Sequence, residues 1–114
     1  MSTNETRTVL ERHLTAWRAG DIDGVIADWA EDGVLVNAAG IFVGKEQIRA
    51  FYREVFGTYF PDDVRAQVDL GNTKAEGEVG FAEWAGGIAE YASDTIIVRG
   101  GKKVAHTFAA KYRD

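Results

Sequence analysis

Apolar and polar positions follow two different periods along this chain, and the change falls near Val64. Before it the period is helical. Val9, Leu10, His13, Leu14 and Trp17 form one stripe, which Gly20 ends. Asp21 reads as the N-cap of a shorter second helix, with Ile22, Val25, Ile26 and Trp29 on one side and Gly24 inside it. Two short strands follow, "VLVN" at 34–37 and "IFV" at 41–43. Gly44 opens a third helix with Ile48, Phe51, Tyr52, Val55 and Phe56 as its stripe, and Gly57 and Pro61 close it.

After Val64 the period is that of strands. "VRAQVDLGNTKA", "EGEVGFAEWA", "IAEYASDTIIV" and "KKVAHTFAAKY" are four strand segments, divided by turn signals at Gly77, Gly86-Gly87 and Gly100-Gly101. Helices followed by a run of strands predict an α+β fold, with the helices on one face of a mostly antiparallel sheet. Curved sheets need glycine kinks and bulges, which Gly71, Gly77 and Gly80 can supply. Such a sheet half-wraps a helix and leaves a cavity at its open end.

The last two strands can be put in register. With Gly100, Gly101 and Lys102 as a three-residue loop, Val98 opposes Val104, Ile96 opposes His106, and Asp94 opposes Phe108. One face then gathers Ile96, Val98, Val104 and Phe108, with Asp94 and His106 among them. These two lie on a diagonal, roughly 7–8 Å apart at the backbone. His13 joins them from the buried stripe of the first helix. Inward-facing polar groups need partners, so three of them suggest one shared polar pocket. The preceding hairpin admits two registers. A tight Gly86-Gly87 turn aligns Glu83 and Glu90 with Asp94; a bulge puts Trp84 there instead.

Composition narrows the function classes. The chain has 114 residues, which predicts one domain spanning 1–114, with 46% hydrophobic and 27% charged residues. Net charge is −5 with no basic cluster, so neither nucleic acid nor an anionic membrane is an expected partner. There is no Cys for disulfides, thiolate ligands or a nucleophile. The two His residues lack any recognised ligand spacing and no glycine-rich phosphate loop is present, so neither a metal nor a cofactor is expected. "MSTNETRTVL" has no apolar signal core, and the cytoplasm is the expected location. "RGGKK" reads as a solvated turn.

The stretch "LTAWRAGDIDGVIADWAEDGVLVNAAGIFVGKEQIRAFY" at 14–52, with "GGKKVAHTFAAKY" at 100–112, resembles the SnoaL-like branch of the nuclear-transport-factor-2-like superfamily, relatives of ketosteroid isomerase and polyketide cyclases. The resemblance implies a cone-like, cystatin-like α+β fold with a deep apolar pocket and a homodimer formed through the outer sheet face. It places Asp94 where the isomerase holds an oxyanion-binding Asp, kept protonated in that relative by an apolar site. His13 falls at that family's Tyr position and Asn37 at its general-base Asp position. Asn37 cannot take a proton, which argues against that isomerisation mechanism. Cyclases with an Asp–His arrangement are the nearer analogy for Asp94 with His106.

The expected site is therefore an acid/base set of Asp94, His106 and His13, with Trp17, Trp29, Asn37, Tyr52 and Trp84 around the ligand. In this expectation His106 moves the proton, Asp94 orients it or donates to an oxyanion, and His13 or Asn37 positions the ligand. The expected ligand is a small apolar or aromatic carbonyl compound, and the reaction a cofactor-independent isomerisation, cyclisation or hydration. The alternative is a non-catalytic binding or assembly domain whose polar groups only satisfy one another. Fold kinship does not decide between them.

Overall fold

The computed structural model describes residues 2–113. The helical half comprises α1 (Ser2–Ala19), α2 (Ile22–Ala27), α3 (Gly44–Glu54), a wide π turn (Val55–Tyr59) and α4 (Asp62–Arg65). Two strands interrupt it, β1 (Trp29–Asn37) and β2 (Gly40–Val43). The rest is β3 (Asp69–Glu76), β4 (Val79–Gly86), β5 (Ala89–Arg99) and β6 (Lys102–Tyr112). These form one six-stranded sheet in the order β2-β1-β6-β5-β4-β3, antiparallel throughout except where β1 runs parallel to β6. This is the predicted α+β architecture, helices on one face of a curved sheet.

The helical stripes bury as the pattern requires. Val9, Leu10 and Leu14 of α1 pack on Ala82, Ile96 and Val98 of the sheet. Val25, Ile26, Trp29, Leu35, Ile48 and Tyr52 form a second cluster, and Phe60, Val68, Trp84, Ala89 and Ala92 a third. Full burial of each large side chain contributes about 1.5–3 kcal/mol. Asp21 caps α2 as expected, accepting from the Gly24 backbone N–H at 3.0 Å. Gly80 lets α1 lie close on the sheet, because a Cβ there would stand 3.0 Å from Ile96 Cγ1 and 3.2 Å from Thr6 Cγ2.

Several elements depart from expectation. Trp29 opens β1 instead of closing α2, since the helix ends at Ala27 with Asp28 as its C-cap, and Trp29 pairs with Lys103 across the parallel ladder. Val64 and Arg65 lie in α4, not in a strand. The buried Arg65 guanidinium donates to the Phe60 and Arg18 carbonyls at 2.8 and 3.2 Å, fastening the end of α1 to the π turn. Gly57 does not stop the third helix; the turn widens through it and carries Val55 and Tyr59 over the open end of the sheet.

The two glycine hairpins decide what faces inward. Gly100 and Gly101, at φ 57° and 74°, make a two-residue loop, so Arg99 pairs with Lys102 and Val98 with Lys103. The register then skips Val104, because Ile97 pairs with Ala105. Ile96 opposite His106 and Asp94 opposite Phe108 hold as predicted, but Lys103 takes the inward place assigned to Val104. The reading of "RGGKK" as a solvated turn is corrected accordingly: Lys103 is fully buried. In the other hairpin a bulge between Trp84 and Gly86 selects the second register, with Trp84 opposite Ala92 and Ala82 opposite Asp94. Trp84 faces inward with Asp94, while Glu83 lies outside and accepts from the Tyr91 hydroxyl at 2.6 Å.

Candidate functional site

A cavity of about 440 Å³ opens between the sheet, α1 and α3. Trp17, Phe51, Phe60, Trp84 and Phe108 give it aromatic walls, and Leu14, Leu35 and Val55 fill the gaps between them. Trp17 lies 5.0 Å from Trp84, and Trp84 stacks on Phe108 at 5.9 Å, so two ring faces border one slot. Polar groups on the wall are few: His13, Asn37, Tyr52 and Asp94. Largely apolar walls with a few convergent polar groups are the usual form of a small-molecule site.

Asp94 enters the cavity from the middle of β5, where strand parity puts it on the face of Ile96 and Val98. Both of its oxygens have partners. Oδ1 lies 2.7 Å from His106 Nε2, and Oδ2 accepts from Trp84 Nε1 at 2.9 Å. The carboxylate is thereby fixed in orientation by two ring donors. His106 lies behind it, buried to 1% exposure, stacked on Trp29 at 6.0 Å and with Nδ1 unpartnered. Strand geometry supplies this layering, since His106 pairs with Ile96 one inward position deeper than Asp94.

His13 comes from the buried stripe of α1, its ring 5.0 Å from that of His106 and 6.3 Å from that of Tyr52. Its Nδ1 lies 2.9 Å from Lys103 Nζ, which also donates to the Val25 carbonyl at 3.3 Å and sits 4.9 Å over the Trp29 ring. Burial first, then the charge of Lys103 and the neighbouring His106, hold His13 well below the ordinary histidine range, so its ring is neutral. Burial also lowers Lys103 to about 7, against the raising pull of Asp28 and Asp94. Tyr52 is pushed well above its ordinary range by burial and by the charge of Asp94, and remains a phenol O–H.

Asn37 ends β1 on the cavity wall, as its strand-terminating chemistry suggests. Its Oδ1 accepts from the Ala39 backbone N–H at 2.8 Å, which leaves the Nδ2 amide buried and unpartnered. The cavity thus presents one carboxylate and two donors, from Asn37 and Tyr52, with the His13 ring beside them.

The structure brings Asp94, His106 and His13 together, with one donor atom from each lying within 4.8 Å of the others. Such a set has metal-ligand chemistry. Here, however, His106 and Asp94 are engaged with each other and His13 faces the amine of Lys103, so the contacts are those of a proton network. Trp17, Asn37, Tyr52, Trp84, His13 and Asp94 line the cavity, whereas His106 and Trp29 lie behind the wall. The expectation that Trp29 meets a ligand is corrected by its place in β1, where it is fully buried beneath Lys103 and His106. Lys103 was missed. Its signal was the glycine pair, which favours a two-residue loop and hence an inward Lys103.

A SnoaL-like domain model matches residues 10–113, and the chain belongs to that family. Solved structures with the same fold include a candidate ketosteroid isomerase from Kribbella flavida, at 15% identity and TM-score 0.81, covering 100% of this chain and 83% of that one. A SnoaL-like protein of unknown function from Burkholderia thailandensis matches at 19% identity and TM-score 0.77, covering 100% and 98%. A de novo designed protein with a curved β-sheet matches at 23% identity and TM-score 0.79, covering 97% and 88%. No curated protein matches. At these identities the structural likeness concerns the fold alone, and a designed scaffold with the same fold underlines that function lies in the site.

Proposed function

We propose that the cavity binds a small, flat, apolar or aromatic carbonyl compound and moves a proton on it by cofactor-independent acid/base chemistry. The observation that carries this reading is a carboxylate, Asp94, fixed by two ring donors on the wall of an otherwise aromatic cavity. His106 stands behind that carboxylate, so the ligand meets Asp94 and not His106. Asp94 takes a proton from the carbon next to the carbonyl, and the released electron pair moves onto the carbonyl oxygen. His13 Nε2–H and the Asn37 amide are donors suited to the oxygen that gains charge. Return of the proton, at the same or another carbon, restores the carboxylate. His106 steadies Asp94 during the exchange. The candidate ketosteroid isomerase among the structural relatives is consistent with carbonyl chemistry, though Asn37 excludes an Asp base at that position here.

A second reading is favoured by the same two contacts. Both Asp94 oxygens are already occupied, so the carboxylate can serve to hold Trp84 and His106 in place while the cavity binds ligand without turnover. The outer sheet face, with Phe81, Thr95, Ile97, Ala105 and Thr107 between strand edges, supports pairing of two chains in either reading.

Occlusion tests the site itself. Titration of 2-tetralone should quench tryptophan fluorescence saturably through Trp17 and Trp84, and Ala110→Trp, which fills the cavity, should abolish the effect. Equal quenching in the filled variant sinks the proposal. Saturable binding without proton exchange selects the second reading.

A further inference from the structure

Lys103 is a charged side chain in a place that disfavours charge. It is fully buried, and among the described residues no carboxylate forms an ion pair with it. Its contacts are a carbonyl oxygen, an aromatic face and one nitrogen of His13. A bulge at Val104 is needed for Lys103 and His106 to share the inner face. A residue so placed at such cost calls for a role, because an apolar side chain of the same length would fill the space more favourably.

The role follows from hydrogen-bond chemistry. An ammonium group donates and cannot accept, so the His13 nitrogen facing it at 2.9 Å must present a lone pair. The single proton of the neutral ring then sits on Nε2, the far atom of the imidazole, which has no hydrogen-bond partner among the described residues. His13 itself lines the cavity. We propose that Lys103 is a positioning residue: by donating to Nδ1 it holds His13 as the Nε2–H tautomer, so that the ring offers a hydrogen-bond donor, and not a lone pair, to a ligand oxygen in the cavity. The link to a ligand rests on the cavity being the binding site proposed above; the tautomer does not.

The polarity of the arrangement runs one way, from cation through imidazole to cavity. The nearby positive charge also opposes protonation of His13, which keeps the ring neutral and its far N–H strongly polarised. A neutral histidine donor suits an oxygen whose charge grows during reaction. The groups that act on Lys103 are His13 from α1, Asp28 between α2 and β1, and Asp94 from β5.

The test reads the tautomer directly. In protein labelled with ¹⁵N-histidine, a long-range ¹H–¹⁵N spectrum below pH 7 separates protonated from unprotonated ring nitrogens. The chain has only two His, and His13→Gln assigns the signals. Wild-type His13 is expected to show a protonated Nε2 and a bare Nδ1. Lys103→Met should lose that purity and give a mixture of tautomers, while Lys103→Arg, which keeps a cationic donor, should restore it. A protonated Nδ1 in the wild type overturns the proposal, and so does an unchanged spectrum in folded Lys103→Met. Should the Met variant not fold, the wild-type spectrum decides. A tautomer that depends on Lys103 in a protein that binds no ketone would contradict the proposed function and leave this inference standing.

Discussion

Replacing Lys103 by methionine removes a buried charge while keeping an unbranched chain of similar length in the same space. The lysine is lowered from 10.5 to about 7 chiefly by burial. Carrying that charge in the folded state therefore costs about 5 kcal/mol relative to the unfolded chain. Methionine avoids the cost but leaves His13 Nδ1 without its donor, which takes back about 1–3 kcal/mol. Below pH 7 the variant should be the more stable protein by about 2–4 kcal/mol, within the range seen when buried charges give way to apolar groups. The pH dependence carries the stronger test. Below its folded pKa the lysine is charged in both states and the penalty is complete. Between about pH 7 and pH 10 the folded lysine loses its proton while the unfolded one keeps it, so wild-type stability rises relative to the variant. Urea unfolding followed by tryptophan fluorescence, at steps across that window, measures the difference. A gap that stays constant with pH, or a variant less stable throughout, would refute the reasoning.

Three further outcomes follow from other contacts. Asp94→Ala strands the Trp84 indole N–H and the His106 ring nitrogen, and should cost about 2–5 kcal/mol in chemical denaturation; a loss under 1 kcal/mol would show those bonds to be incidental. His13 is lowered well below its ordinary range, so as pH falls through that range the unfolded chain takes up a proton that the folded one refuses. Stability should decline there, and His13→Gln should flatten the decline. Gly86→Ala should lower the melting temperature by several degrees, since its Cβ would lie 2.4 Å from the Gln67 carbonyl oxygen at φ 144° and the bulge that turns Trp84 inward would have to shift.

Much of this fold is legible in the chain because its periods are clear and its turns are glycine-marked. The α1 stripe, the Asp21 cap and the pairing of Asp94 with Phe108 all depend on local patterns that the sequence carries. What escaped were features set by bulges. One skipped residue at Val104 exchanges a valine for a lysine on the inner face, and hydrophobic pattern alone favours the wrong choice because a buried lysine contradicts it. The same limit applies to Trp84, whose direction is set by a bulge between Trp84 and Gly86 that the sequence pattern neither required nor excluded. His106 takes the predicted inward face but lies one layer behind the cavity wall, since strand parity gives facing and not depth. Trp29 was assigned to a helix stripe that ends two residues before it, at Ala27. The sequence therefore brought Asp94, His106 and His13 to one inner face, while the lysine beside His13 was hidden by a turn.

The most direct measurement is proton exchange at carbon. In D₂O buffer, ¹H NMR follows loss of the α-protons of 2-tetralone with wild-type protein and with Asp94→Asn. If Asp94 is the base, the wild type accelerates exchange above the buffer rate and the variant, still folded and still binding the ketone, loses at least about 100-fold of that acceleration. Exchange that persists unchanged in Asp94→Asn, or a wild type no faster than buffer with the ketone bound, would contradict proton transfer by Asp94.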